Sequence, residues 1–189
     1  MNRNDYVYLR EICTVNQGLQ IPISKRFKES GENRYFYITV QFLKDGHKEK
    51  YYVENPPSSS ICNEDDIIVV RTGSTGRILT GVKGCFHNNF FKVTPQNHID
   101  KPFVFYYLNK PNIKHLMFQY AGNSAIPDVN HGDFYSIPFY ETSIQEQKKI
   151  TTFLSAIDKK IEQLTQKVNL LEQYKKGVLQ QIFPQQIRF

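Results

Sequence analysis

The chain has 189 residues, with 24 Lys and Arg against 18 Asp and Glu, a formal net charge of +6 and a pI near 9.1. That length suits one well-buried domain plus an extension and is too short for two large domains. The mild basic excess points towards polyanionic partners such as nucleic acid, and no uninterrupted apolar run approaches the ~18 residues of a membrane span.

Residues 1–10 are polar and charged and carry no apolar signal core. Cys13, Cys62 and Cys85 are widely spaced and form no CxxC pair, so they read as reduced thiols of a cytoplasmic protein. Up to about residue 142 the chain is rich in Tyr and Phe and alternates short β-like runs with turns. "RYFYITVQFL" (34–43), "KYYV" (50–53), "DIIVVRT" (66–72) and "NFFKVTP" (89–95) are β-branched or aromatic. "KDGHK" (44–48), "NPPSSS" (55–60), "TGSTGR" (72–77) and "VKGC" (82–85) read as turns between them. A helical patch follows Pro102, and Pro111 breaks it or starts a second helix. Residues 1–142 therefore read as a mixed, β-rich α+β domain.

From Ser143 the pattern changes. Ser143 with Glu146 three residues on fits a capping box. Apolar residues then fall at Ile150, Leu154, Ile157, Ile161, Leu164, Val168, Leu171, Val178 and Ile182, a heptad seam whose one polar position is Lys175. A helix over 145–182 is roughly 57 Å long at 1.5 Å per residue. One small domain cannot cover that length, so residues 143–189 are expected to pair with a helix of another chain.

Several chemistries are disfavoured. Asn55-Pro56-Pro57 opens like the catalytic loop of an amino-methyltransferase. The fourth position is Ser58, however, not a stacking ring, and no strand–GxG–helix unit lies upstream. It reads as a turn between strands. Pro127-Asp128 is followed by no E-x-K strand of a nuclease site. The triplet Glu64-Asp65-Asp66 reads as a solvated turn, and "TGSTGR" lacks the spacing and Lys-Ser/Thr of a phosphate loop. Cys85-Phe86-His87 is at most half a metal site, so no metal or bound cofactor is expected.

The segment "IPFYETSIQEQKKITTFLSAIDKKIEQLTQKVNLLEQYKKGVLQQIF" (137–183) resembles the type I restriction–modification DNA specificity subunit. Glu146-Gln147, Lys149-Ile150, Leu154, Ile157-Asp158, Ile161 and Lys175-Lys176 match that family's E-Q-x-K-I, L-x-x-I-D-x-x-I and K-K motifs in order. Tyr140 stands near the position of the family's usual second proline. "EDDIIVVRTGSTGRI" (64–78), "AGNSAIPDVNHGDFYSIPF" (121–139) and "LREICTVNQG" (9–18) are similar to its inner motifs. The resemblance implies a non-catalytic reader of double-stranded DNA with one target-recognition domain where a full subunit has two. It also implies a homodimer through an antiparallel coiled coil. Modification subunits would dock partly on the faces carrying Lys148, Lys159, Lys160, Glu162, Gln163 and Lys167, supply S-adenosylmethionine and methyl transfer, and bring restriction subunits. A stand-alone coiled-coil regulator of transcription and an enzyme with an unrecognised site remain as alternatives.

A DNA reader needs cations and amides for phosphates and a few bidentate side chains for base edges. The turn offers Arg71, Thr72, Ser74, Thr75 and Arg77. Lys25, Arg26 and Lys28 form a basic loop, and Asn88, Asn89, Asn123 and Ser124 supply amides and a hydroxyl. Tyr51, Tyr52 and Phe118 read as core.

Overall fold

Two runs that read as strands, 66–72 and 89–95, form the middle of a sheet because their apolar residues are buried on both faces. The computed structural model describes residues 6–44, 50–122 and 127–183. The described elements run β1 (Tyr6–Tyr8), α1 (Leu9–Ile12), β2 (Cys13–Gln17), β3 (Arg34–Ile38), α2 (Val40–Lys44), β4 (Tyr52–Glu54), β5 (Ile61–Cys62) and β6 (Ile67–Val70). They continue with β7 (Ile78–Leu79), β8 (Gly84–Phe86), β9 (Phe90–Pro95), α3 (Lys101–Leu108), α4 (Pro111–Tyr120), α5 (His131–Tyr135), β10 (Pro138–Tyr140) and α6 (Ile144–Ile182). The architecture is α+β, sheets first and then one long C-terminal helix.

One antiparallel sheet has the order β2-β9-β6-β7. All four residues of β6 are buried, as a short continuous apolar run predicts. A second sheet, β4-β3-β8-β5, is mixed, since β3 runs parallel to β8. Ile38, Val40, Cys62, Ile68, Val70, Phe86 and Phe90 form one cluster drawing on both sheets, and burying each large side chain there contributes about 1.5–3 kcal/mol. β1 and β10 pair as a separate antiparallel ribbon, Tyr6 opposite Tyr140 and Tyr8 opposite Pro138.

The run 34–43 is not one strand. It leaves the sheet after Ile38, where the Thr39 hydroxyl accepts a hydrogen bond from the Phe42 amide at 3.2 Å and starts α2. Nor is "VKGC" purely a turn, because Gly84 and Cys85 begin β8. A Cβ on Gly84 would stand 2.2 Å from the Phe36 carbonyl oxygen, so glycine there serves close strand approach. Asn55-Pro56-Pro57 does form a turn between strands, with Asn55 in the left-handed region at φ 46° and its amide bonded to the Asn33 carbonyl at 2.9 Å. The acidic triplet is more than a solvated turn: Lys101 pairs with Asp65 at 2.8 Å and Asp66 at 3.2 Å. Pro111 stands at the first position of α4 and starts it. The three cysteines are free and buried; burial pushes the Cys13 thiol up to about 12 and that of Cys62 up to about 11.

The chain divides into two compact units, residues 1–147 and 148–189. In the first, the Ser143 hydroxyl accepts from the Glu146 amide at 3.3 Å, which is one half of the expected capping box. The Gln147 side chain anchors the start of α6, Oε1 accepting from the Asp100 backbone amide at 2.9 Å and Nε2 donating to the Thr142 carbonyl at 2.7 Å. In the second unit the seam of α6 faces outward in the single chain: Ile161, Leu164, Val168 and Leu171 are each 50–56% exposed. No described helix is long and apolar enough to cross a membrane.

Candidate nucleic-acid interface

The glycine-bearing loop Arg71–Arg77 joins β6 to β7. Its ends are tied by the Val70 amide to the Arg77 carbonyl at 2.8 Å and the Gly76 amide to the Val70 carbonyl at 2.9 Å. Gly73 and Gly76 take φ of +88° and +79°, values that favour glycine and let the loop double back. A second segment clamps it. The Arg71 guanidinium grips the Asp128 carboxylate with two N–H groups, Nε to Oδ1 at 2.9 Å and Nη2 to Oδ2, and the Thr72 hydroxyl donates to the same carboxylate. The Val129 amide donates to the Arg71 carbonyl at 3.1 Å. The Thr75 hydroxyl is buried, 2.7 Å from the Pro127 carbonyl oxygen and 3.0 Å from that of Arg71.

Burial pushes the Asp128 carboxyl up, but hydrogen bonds from Thr72 and Arg71, with the Arg71 charge, outweigh it and hold the group below the usual carboxylate range. The Arg71 guanidinium also lies 5.2 Å from the centroid of the buried Phe91 ring. Arg71, Thr72 and Thr75 thus turn inward and act as positioning residues. Arg77 stands outward, and its side chain makes no hydrogen bond or ion pair with a described residue. Ser74 is half-buried, its carbonyl accepting from the Arg77 amide at 3.2 Å.

The basic loop splits in the same way. Lys25 and Lys28 are exposed, whereas Arg26 is half-buried. Arg26 donates from Nε and Nη2 to the Ile21 carbonyl at 2.9 and 2.7 Å and stacks over Tyr37. Asn88 is part of the scaffold, donating through its amide nitrogen to Gln20 at 3.4 Å and from its backbone to the Leu19 carbonyl at 3.2 Å. Asn89 anchors the loop, its carbonyl accepting from the Arg71 amide at 2.8 Å. Its side chain, with those of Arg26, Thr39, Gln41 and His87, lines a cavity of about 330 Å³. Asn123 and Ser124 lie outside the described residues.

This chain matches the type I restriction modification DNA specificity domain over residues 2–173. It belongs to that family. The type I restriction enzyme MjaVIII specificity subunit of Methanocaldococcus jannaschii is 30% identical over 156 residues, covering 82% of this chain and 36% of the relative. The putative MjaX specificity subunit of the same organism is 26% identical over 172 residues, covering 89% of this chain and 40% of the relative. Among solved structures, the HsdS subunit from Thermoanaerobacter tengcongensis superposes with a TM-score of 0.65 at 16% identity, over 99% of this chain and 47% of that one. The type I restriction–modification S subunit from M. genitalium gives 0.63 at 18% identity, over 97% and 47%. The fold is therefore the one seen in those subunits, and this chain spans less than half the length of the relatives it matches.

Two features of this specificity domain escaped the motif reading. Between Ile67 and Pro127 the chain carries a single carboxylate, Asp100, against Arg71, Arg77, Lys83, Lys92, Lys101, Lys110 and Lys114. Asp100 is occupied as the N-cap of α3, accepting from the Phe103 amide at 3.2 Å. Arg71 and Lys101 are ion-paired, and Lys92 donates to the Ile61 carbonyl at 2.7 Å. Arg77, Lys83 and Lys114 pair with no described residue. A charge count by segment, rather than over the whole chain, carries this signal. The second feature is Phe118, read above as core. It is 52% exposed, while Ile113 and Met117 form the buried face of α4; Tyr51 and Tyr52 are half-buried.

Proposed function

We propose that this chain is the non-catalytic DNA specificity subunit of a type I restriction–modification system, one target-recognition domain reading one half-site of duplex DNA. The observation that carries it is the clamped β6–β7 loop: Asp128, Thr72 and Thr75 fix the loop internally, and Arg77 is left facing outward inside a stretch almost free of carboxylates. A guanidinium held on a rigid loop is suited to bidentate contact with a guanine edge, while Lys25, Lys28 and Lys83 serve phosphates.

Two copies pair antiparallel through α6, burying the ridge from Ile150 to Ile182 with Lys175 fixing register, so that the pair reads an inverted repeat. Modification subunits dock on the polar faces of α6, carry S-adenosylmethionine and perform methyl transfer, and restriction subunits join through them. The family match and the specificity-subunit relatives support this reading, as does the uncovered seam, and the work is done in the cytoplasm. The test is selection of duplexes from a randomised library by the full chain, with sedimentation of the same sample. An inverted-repeat consensus bound by a dimer is the expected result; a monomer that enriches no sequence overturns it.

A further inference from the structure

We propose that Phe118 is a base-contacting residue that reads the 5-methyl group of a thymine next to the base met by Arg77. The proposal rests on the DNA-reading function given above and names a specificity-determining residue for it.

Phe118 belongs to the same surface as the reading loop. A methyl group placed on Gly76 would stand 3.6 Å from Phe118 Cε2, 3.9 Å from its Cδ2 and 3.9 Å from the Lys114 carbonyl oxygen. One edge of the ring therefore rests against the loop residue that precedes Arg77 in sequence, while Phe118 as a whole is 52% exposed. Gly76 holds φ +79°, so the loop presents bare backbone where the ring packs.

The surroundings indicate what would cover the ring. Lys114 and His115 lie one turn earlier on the same side of α4, and Gln119 follows. No carboxylate lies between Lys101 and Pro127 or between Ile67 and Ile99. The other exposed ring of α4, Tyr120, carries a hydroxyl, and an apolar ring flanked by Lys114, His115 and Gln119 matches a polyanion that displays isolated apolar spots better than an apolar protein patch. In duplex DNA the isolated apolar spot of the major groove is the thymine methyl, and bidentate arginine–guanine contact is made in that same groove. An edge already seated on Gly76 is not free to be driven between base steps as a wedge.

The experiment takes the duplex that the full chain selects from a randomised library and replaces its thymines one at a time by uracil, removing only the methyl. Affinity is expected to fall roughly three- to tenfold at one position per half-site. Phe118→Ala should bind the thymine and uracil duplexes alike, and Phe118→Leu should keep most of the discrimination. With 5-iodouracil at that position, the unaltered protein should photocrosslink through Phe118, a readout that needs no variant to fold. A selected duplex with no uracil-sensitive thymine, or a crosslink that maps to another residue, overturns the assignment while DNA reading stands. A library from which no duplex is enriched overturns the functional reading, and this inference with it.

Discussion

Residues 1–147 and the α6 residues beyond them solve the hydrophobic problem in opposite ways. In the first unit the large apolar side chains of both sheets meet one another, and Tyr37, Phe86, Phe90, Phe91, Phe134 and Phe139 are shielded almost completely. In the second, an apolar ridge of comparable regularity is left half in water. The difference separates two kinds of information in one sequence: one region specifies its own closed core, and the other repeats an apolar period that its own chain leaves uncovered.

Five substitutions, one of them read by a pH titration, sharpen or break that contrast. Phe90→Ala removes a fully buried ring from the cluster that joins the sheets and should cost about 3–5 kcal/mol of unfolding free energy, measured by denaturant titration. Self-association through α6 should survive wherever the protein stays folded. Leu164→Glu should do the reverse, weakening dimerisation by about 3–5 kcal/mol in sedimentation equilibrium and leaving the transition of the first unit in place, because it buries an unpaired carboxylate in the seam. If that variant still dimerises, the ridge is not the interface.

Arg77→Ala should lower affinity for the selected duplex by about 1–3 kcal/mol, relax the preference at one base pair and leave thermal stability unchanged. Asp128→Ala should destabilise the fold by about 1–2 kcal/mol, a figure kept low because the Asp128 side chain is 41% exposed. DNA binding should weaken along with it, since Arg71 loses the carboxylate that holds the loop. Equal affinity for wild type and D128A would make the clamp irrelevant to reading.

The smallest effect concerns His87. Burial, first, and the neighbouring Arg26 charge depress its pKa below the ordinary 6.5 and outweigh the Asn89 side chain, which acts the other way; the Asn89 backbone amide donates to Nδ1 at 3.1 Å, a bond that only the unprotonated nitrogen can accept. The neutral ring is the folded form, so its stabilising contribution is complete above about 6.5 and is lost as pH falls through that value towards the lower folded one. Unfolding free energies between pH 7.5 and 5.5 should show that decline, and His87→Gln should flatten it.

How much of this could be read beforehand follows from how local each determinant is. The seam of α6 was legible because a heptad repeated from Ile150 to Ile182 states itself many times over, and Ser143 and Pro111 mark helix starts by side-chain chemistry alone. The β-rich character and the Asn55 turn were legible for similar local reasons. Strand β8 was not: Gly84 has the composition of a turn, and its use in approaching Phe36 depends on a chain segment far away in sequence. The ion pair of Arg71 is not legible in the sequence because its partner, Asp128, lies 57 residues on. Phe118 was misplaced because "HLMFQY" offers more apolar residues than one helix face can bury. Packing against the rest of the unit decided that Met117 went in and Phe118 stayed out.

The ribbon that sets Tyr6 opposite Tyr140 works as a clasp. The first and last described strands of the globular unit lie side by side, so one ribbon fastens the chain both where it enters the unit and where it leaves, and loosening it would free both ends with no strand inside rethreaded.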